Sequence, residues 1–265
     1  MLSSLRNRNA ILTGGSRGLG PLIAEALAAE GVNLALVART PEPLEEVASR
    51  FPNCVAIPAD LSDTVQVETV VAEARAQLGD IDILINNAGV ENGGSFRSKT
   101  SEEVEQVIAT NLTAPLLLSR LLLPGMLERG QGHIVTIASL AGKVALPYAA
   151  TYSGTKAALT AWSQSLAVEL EGTGVSSSVI NPGFVSETGM FASHGIKAPA
   201  YLSEVSPRQV VAAVLTALKE GRPEIVVSGR PFKPLAVLHA LAPQTLQALM
   251  RRLGLFDFLR KHFDR

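Results

Sequence analysis

Short apolar runs, three to six residues long, recur along this 265-residue chain, and longer stretches between them repeat their apolar positions every three or four residues. The runs predict strands at residues 10–13, 33–38, 55–59, 83–86, 133–138, 177–181 and 225–227. The stretches at 18–30, 43–50, 64–78, 102–129, 152–171 and 207–220 predict helices. Pro43 and Pro207 suit first helical turns, where a missing N–H costs little. The strands lack an in-out alternation, so both of their faces are buried. Strand and helix taking turns then implies a parallel sheet with right-handed crossovers and helices on both sides. No internal repeat or low-complexity linker interrupts the pattern.

The rhythm fails twice. Residues 184–206, FVSETGMFASHGIKAPAYLSEVS, follow a strand end without a clear period. A loop of that length in a compact domain is usually functional, and many such loops are lids. Residues 230–265 hold two amphipathic helical patterns rich in Leu, Arg and Lys. The expected organisation is one α/β domain over 1–229, with a lid at about 184–206, and a helical extension of the same domain at 230–265.

The first strand runs directly into glycines, NAILTGGSRGLG at 9–20, and then into a helix. A helix N-terminus offers free N–H groups and the positive end of a dipole, which suits a pyrophosphate. Gly14, Gly18 and Gly20 let the backbone approach it. The spacing, Gly-x3-Gly-x-Gly, differs from the general dinucleotide fingerprint, and a glycine-rich turn can be only a turn. In NAD-binding units an acid near the end of the second strand grips the ribose hydroxyls. Here that strand, NLALVART, ends in Ala38-Arg39, and Arg17 sits in the glycine loop. Two guanidinium groups with no competing carboxylate favour a 2′-phosphate, hence NADP(H) over NAD(H). The alternative is that both arginines are solvated surface charges.

Composition narrows the field. Twenty-three basic and twenty-four acidic side chains leave a formal charge of −1, so no basic field points to nucleic acid. The lone cysteine, Cys54, fits a reducing compartment, and four scattered histidines suggest no metal site. The start, MLSSLRNRN, lacks the apolar stretch of a signal peptide. The greasiest segment, LTAPLLLSRLLLPGML, is broken by Ser119, Arg120 and two prolines, short of the ~18 to 20 residues of a membrane span. A cytoplasmic location is expected.

The chain carries TGGSRGLG at 13–20, NNAG at 86–89, Asn111, Ser139 and YSGTK at 152–156. In motif order and spacing this resembles the short-chain dehydrogenases/reductases over about residues 6–229. The resemblance implies a Rossmann-like doubly wound sheet in the order 3-2-1-4-5-6-7. It also implies hydride transfer between NAD(P)(H) and a carbonyl/alcohol pair. Tyr152 and Lys156 stand four apart, on one helix face. A phenol titrates near ~10, and an adjacent ammonium lowers that value, so Tyr152 can relay a proton. Ser139 ends a strand, where ligands gather in open α/β sheets, and can hold the substrate oxygen. Asn111 precedes Pro115 by four residues, so the helix loses the N–H that would bond the Asn111 carbonyl. A kink and a free carbonyl follow, open to a water. The family's asparagine holds a water that links the lysine to solvent.

The resemblance also carries cofactor roles onto Gly14, Ser16, Arg17, Gly18, Leu19 and Gly20 in the loop, and onto Arg39. It places Asp60 at the adenine amine with Leu61 beside it, though Asp60 could instead cap the following turn. Asn86 can tie neighbouring strands, while Asn87, Ala88 and Gly89 give the cofactor room. Tyr152 and Lys156 reach the nicotinamide ribose, and Pro182, Gly183 and Val185 flank the nicotinamide. One apparent extra residue after NPGF leaves Ser186 and Thr188 competing for the amide-binding hydroxyl.

The leading expectation is an NADPH-preferring carbonyl reductase or alcohol dehydrogenase, with 3-oxoacyl thioester (acyl carrier protein) reduction as the runner-up. A non-catalytic NADP(H)-binding regulator and a sugar-nucleotide epimerase are rivals. The intact Ser139, Tyr152 and Lys156 oppose the first, and the glycine spacing opposes the second. Phe184, Met190, Phe191 and Tyr201 in the lid favour an apolar substrate. The tail is read either as helices packed over the body or a homo-oligomer interface, in a dimer or tetramer, or as a peripheral membrane surface. The membrane reading rests on Arg251, Arg252, Arg260 and Lys261 among Leu and Phe.

Overall fold

The structure is a computed structural model that describes residues 4–193, 195, 197–199 and 203–263; Tyr201 of the expected lid cluster lies outside them. Seven strands form one parallel sheet: β1 (Asn9–Thr13), β2 (Asn33–Ala38), β3 (Cys54–Pro58), β4 (Ile83–Asn86), β5 (Gly132–Ile137), β6 (Val175–Pro182) and β7 (Glu224–Val227). Their order is β3-β2-β1-β4-β5-β6-β7, as the resemblance implies. Chain order reverses between β1 and β4, which opens a crevice at the carboxyl ends of the strands.

Eleven α-helices surround the sheet among the described residues. They are α1 (Gly20–Ala29), α2 (Pro41–Ala48), α3 (Thr64–Leu78), α4 (Ser101–Ile108), α5 (Ala114–Glu128), α6 (Ala150–Glu169), α7 (Gly189–Ser193), α8 (Pro207–Glu220), α9 (Lys233–Leu241), α10 (Pro243–Arg252) and α11 (Leu255–Phe263). Two boundaries differ from the sequence reading for clear reasons. The first helix starts at Gly20 and not at Gly18, because Gly18 sits at φ +66°, the left-handed region. The second starts at Pro41 and not at Pro43, since Pro41 takes the first helical position after an extended Thr40.

The strands feed two cores, one on each face of the sheet. On one face Leu12, Leu34, Leu36, Ile83 and Ile85 pack with Ile23 and Leu27 of α1, Leu44 of α2 and Val210, Val214 and Leu218 of α8. On the other, Ile11, Val37, Leu84 and Ile134 meet Val67, Val70 and Ala74 of α3 and Leu118, Leu122 and Met126 of α5. Both faces are therefore apolar, which is why the strands show no alternation. By length and mean hydropathy (1.4), the helical run Ser101–Glu128 could cross a membrane, contrary to the reading of its apolar stretch as too short and broken. In this fold its buried residues serve the core.

Among the described residues, the long segment after β6 holds one short helix, α7, and is pinned at its base. Val205 N–H donates to the Phe184 carbonyl (2.8 Å), and Ser186 N–H to the Val205 carbonyl (3.0 Å). The tail forms three helices where two patterns were expected. Ala242 precedes Pro243 and adopts φ −145°, ψ 67°, and Gly254 sits at φ +74°, so the path breaks twice. Leu246, Met250, Leu255 and Leu259 from these helices pack on Val144, with Leu146 and Tyr148 beside them.

Candidate active site

The glycine loop lies against β4 and is held there by side chains. Thr13 Oγ1 accepts hydrogen bonds from the backbone N–H groups of Asn87 and Ala88, each at 3.0 Å. Asn87 Nδ2 donates to the Thr13 carbonyl (2.9 Å) and to the Gly14 carbonyl (3.3 Å). The approach is close enough that a Cβ on Gly14 would stand 2.9 Å from Ala88 Cα. Tying the strands is thus the work of Asn87. Asn86, expected in that role, points to α5 instead and donates to Ser119 Oγ at 3.4 Å. A strand's side chains alternate in direction, and Asn86 falls on the face covered by α5.

From this loop a cavity of about 610 Å³ runs along the carboxyl ends of the strands. Gly14, Arg17, Gly18, Leu19, Asn87, Ala88 and Gly89 line one end. Ser139, Tyr152, Lys156, Pro182, Gly183, Val185 and Thr188 line its middle. The competition between Ser186 and Thr188 has a geometric answer: Thr188 lines the cavity, while Ser186 Oγ donates to the Val205 carbonyl (3.3 Å). Five expected cofactor residues, Ser16, Gly20, Arg39, Asp60 and Leu61, do not line it. Arg39 is exposed at the end of β2, and Leu61 is buried in a core cluster. Asp60 Oδ1 accepts from Ser62 N–H (2.9 Å) and Ser62 Oγ–H (2.8 Å), the turn-capping alternative.

The polar wall is built by α6 and the end of β5. Lys156, 3% exposed, donates from Nζ to the Ile137 carbonyl at 2.8 Å and lies 5.7 Å from the centroid of the Tyr152 ring. Burial lowers its pKa to about 8. Tyr152 departs from the expectation of a lowered pKa. Burial raises it, the Glu91 carboxylate raises it further, and a hydrogen bond with Ser139 opposes both only in part. Burial and the neighbouring carboxylate prevail, so the phenol keeps its proton at neutral pH. Ser139 Oγ also accepts from Ala141 N–H (3.1 Å), which fixes its direction.

Asn111 does not line the cavity but supports it. The expected kink before Pro115 takes the form of a π-helical turn, Ala109–Thr113, in which Ala114 N–H reaches back five residues to the Ala109 carbonyl. The fully buried Asn111 side chain clamps Val90: its Oδ1 accepts from Val90 N–H (2.8 Å) and its Nδ2 donates to the Val90 carbonyl (2.8 Å). Its Nδ2 also reaches Thr155 Oγ1 (3.4 Å), whose hydroxyl donates to the Tyr152 carbonyl (2.8 Å).

Sequence reasoning missed Glu91. It lines the cavity, burial raises its pKa, and among the described residues it makes no hydrogen bond or ion pair. Its only sequence signal is its place just after NNAG. The far end of the cavity is apolar, with Leu140, Val144, Leu146, Phe184, Met190 and Phe191. The rings of Phe184 and Phe191 lie 4.5 Å apart. Phe232, Leu235, Met250, Leu255 and Leu259 from the tail complete that end within the same chain.

Comparison with known proteins agrees with this geometry. The family model "short chain dehydrogenase" matches residues 8–198. The ketoacyl reductase HetN of Nostoc sp. is 38% identical over 272 residues, which span 99% of this chain and 95% of that protein. A metagenomic short-chain oxidoreductase solved with NADP is 30% identical, with a TM-score of 0.73 over 85% of this chain and 98% of its own. A 3-ketoacyl-(acyl-carrier-protein) reductase from Brucella melitensis, solved with NADH, shares the fold at 24% identity, with a TM-score of 0.77 and the same two coverages. A match that runs from the first strand through the Tyr152–Lys156 helix, on this sheet order, places the chain in the short-chain dehydrogenase/reductase family of oxidoreductases.

Proposed function

We propose that this protein interconverts a carbonyl and a secondary alcohol on a mostly apolar substrate, using NADP(H) in preference to NAD(H). The observation that carries the reading is one cavity wall that presents Ser139, Tyr152 and Lys156 while the walls beyond it are apolar. The residues present fit a nicotinamide dinucleotide. Gly14 brings the loop backbone against Ala88, the N-terminus of α1 follows, and Lys156 and Thr188 line the adjoining middle of the cavity. Gly14, Arg17, Gly18, Leu19, Asn87, Gly89, Lys156 and Thr188 would hold it. When bound, the nicotinamide supplies or accepts the hydride.

The chain's own groups manage the proton. Tyr152 is protonated at neutral pH and donates to the substrate oxygen in reduction. Ser139, bonded to the same phenol, holds that oxygen in place. The Lys156 ammonium near the ring stabilises the phenolate left behind, an interaction strengthened by burial. Phe184, Phe191 and the tail residues keep water from the reacting atoms. Preference for NADP(H) is supported by exposed Arg17 and Arg39, with no carboxylate at the end of β2.

A second reading, reduction of a 3-oxoacyl thioester, is favoured by the full-length similarity to a protein named ketoacyl reductase. NADPH absorbance followed across ketones, secondary alcohols and 3-oxoacyl thioesters separates the two. Tyr152→Phe should lower kcat by about a hundredfold or more while NADPH affinity changes less than about threefold. Retained turnover in that variant would remove Tyr152 as the acid. NADPH binding without turnover of any compound in the native protein would indicate a regulator.

A further inference from the structure

The outer face of the tail carries an apolar stripe that the fold leaves uncovered. Leu235, Val237, Leu241, Leu249 and Leu253 are 36%, 56%, 81%, 44% and 48% exposed. The other exposed large apolar residues, such as Val65, Phe96 and Val168, are scattered over separate segments. Exposed apolar residues gathered in one segment mark an interaction site, whereas scattered ones do not. α10 and α11 have already used their inner residues, Leu246, Met250, Leu255 and Leu259, to pack on the body, and α9 adds the partly buried Leu238. The outer residues are therefore surplus to folding.

Spacing and charge identify the partner. Val237 and Leu241 stand one turn apart on α9, with Lys233 one turn earlier. Leu249 and Leu253 are likewise four apart, with Arg252 next to Leu253, while Arg251 lies over the Phe256 ring at 5.3 Å. From residue 230 to the end the chain has seven Lys or Arg and two Asp, a net +5, although the whole chain is −1. One of the two acids, Asp257, is paired with Arg260 at 3.1 Å. A second copy of the same face would bring like charges together, which opposes self-association. Apolar side chains flanked by cations suit the boundary of an anionic bilayer. At nine or ten residues each, the helices can lie on a membrane and are too short to span one.

We propose that α9 and α10 dock this protein on an anionic lipid surface, with Val237, Leu241, Leu249 and Leu253 set among the acyl chains and Lys233 and Arg252 against the lipid phosphates. Leu235, partly exposed on the same helix, also lines the cavity, so the helix argued to meet the lipid borders the cavity. The docking does not depend on which reaction the cavity performs.

The test is co-sedimentation of the full chain with phosphatidylcholine vesicles, with and without roughly one-third phosphatidylserine. Binding is expected only to the anionic vesicles and should fall sharply at about 0.5 M salt. Leu241→Asp and Val237→Asp change exposed side chains, so folding and NADPH affinity should persist while vesicle affinity drops at least about tenfold. Lys233→Glu together with Arg252→Glu should have a comparable effect. Absence of native binding, or equal binding by the variants, overturns the proposal. So does sedimentation velocity showing, without lipid, a native dimer that the Asp variants dissociate, because the stripe would then be a protein interface.

Discussion

Glu91 and Tyr152 are two acids in one cavity, and the order in which they ionise governs the response of the site to pH. By the time the phenol gives up its proton, the carboxyl is already charged, and its charge opposes the second ionisation. Alcohol oxidation needs the phenolate, so its rate should climb on the alkaline side. In Glu91→Gln that climb should move to lower pH by about half a unit or more, read from kcat/KM against pH. An unmoved profile would exclude Glu91 from the electrostatics of the site. Arg39→Asp should weaken NADPH binding about tenfold or more with little loss for NADH, measured by fluorescence titration. Equal native affinities for the two cofactors would refute the arginine argument. Tyr152 and Lys156 were legible because their four-residue spacing sets them on one helix face, and Ser139 because it ends a strand in the family's motif order. Glu91 was not, because an acid after a glycine turn reads as solvated until tertiary packing buries it. The direction of the Tyr152 shift was misread for a related reason: spacing brings the lysine near, but only the fold shows the phenol buried and facing Glu91.

At the level of elements, Pro115 signalled a disturbance in its helix, but not that a π-helical turn would absorb it and swing Asn111 onto Val90. The extra helix in the tail was readable in principle from Ala242-Pro243 and Gly254, each a break in an otherwise continuous pattern. Strand β5 hides a titratable group. His133 is fully buried, its Nε2 lies 2.9 Å from Ser178 Oγ on β6, and burial lowers its pKa to about 4. In the unfolded chain the ring takes a proton near pH ~6.5, so acid favours unfolding. Stability should therefore fall as pH drops from about 6.5 to about 4, by about 3 kcal/mol from this residue. Denaturant titrations at the two ends of that range check it, and His133→Gln should flatten the difference. A native protein equally stable at both would show that the imidazole is protonated within the sheet.

For the whole molecule, the sheet was the most legible feature, since short apolar runs taking turns with longer helical periods are the pattern of a parallel sheet, and the motif order supplied its strand order. The closing of the cavity was not, because it depends on which surface the tail meets. Its walls come from residues as far apart as Gly14 and Leu259. These walls leave the ribosome in a fixed order. The glycine loop is made first, the Tyr152–Lys156 helix midway, and Thr188 completes the set argued to hold the nucleotide. Leu255 and Leu259, which finish the apolar end, are made some seventy residues later, within the last dozen of the chain. A chain halted between those points holds every residue assigned to the nucleotide and an unfinished chamber for the second reactant. The order of synthesis thus runs from the residues argued to hold the cofactor to those that line the apolar end of the cavity.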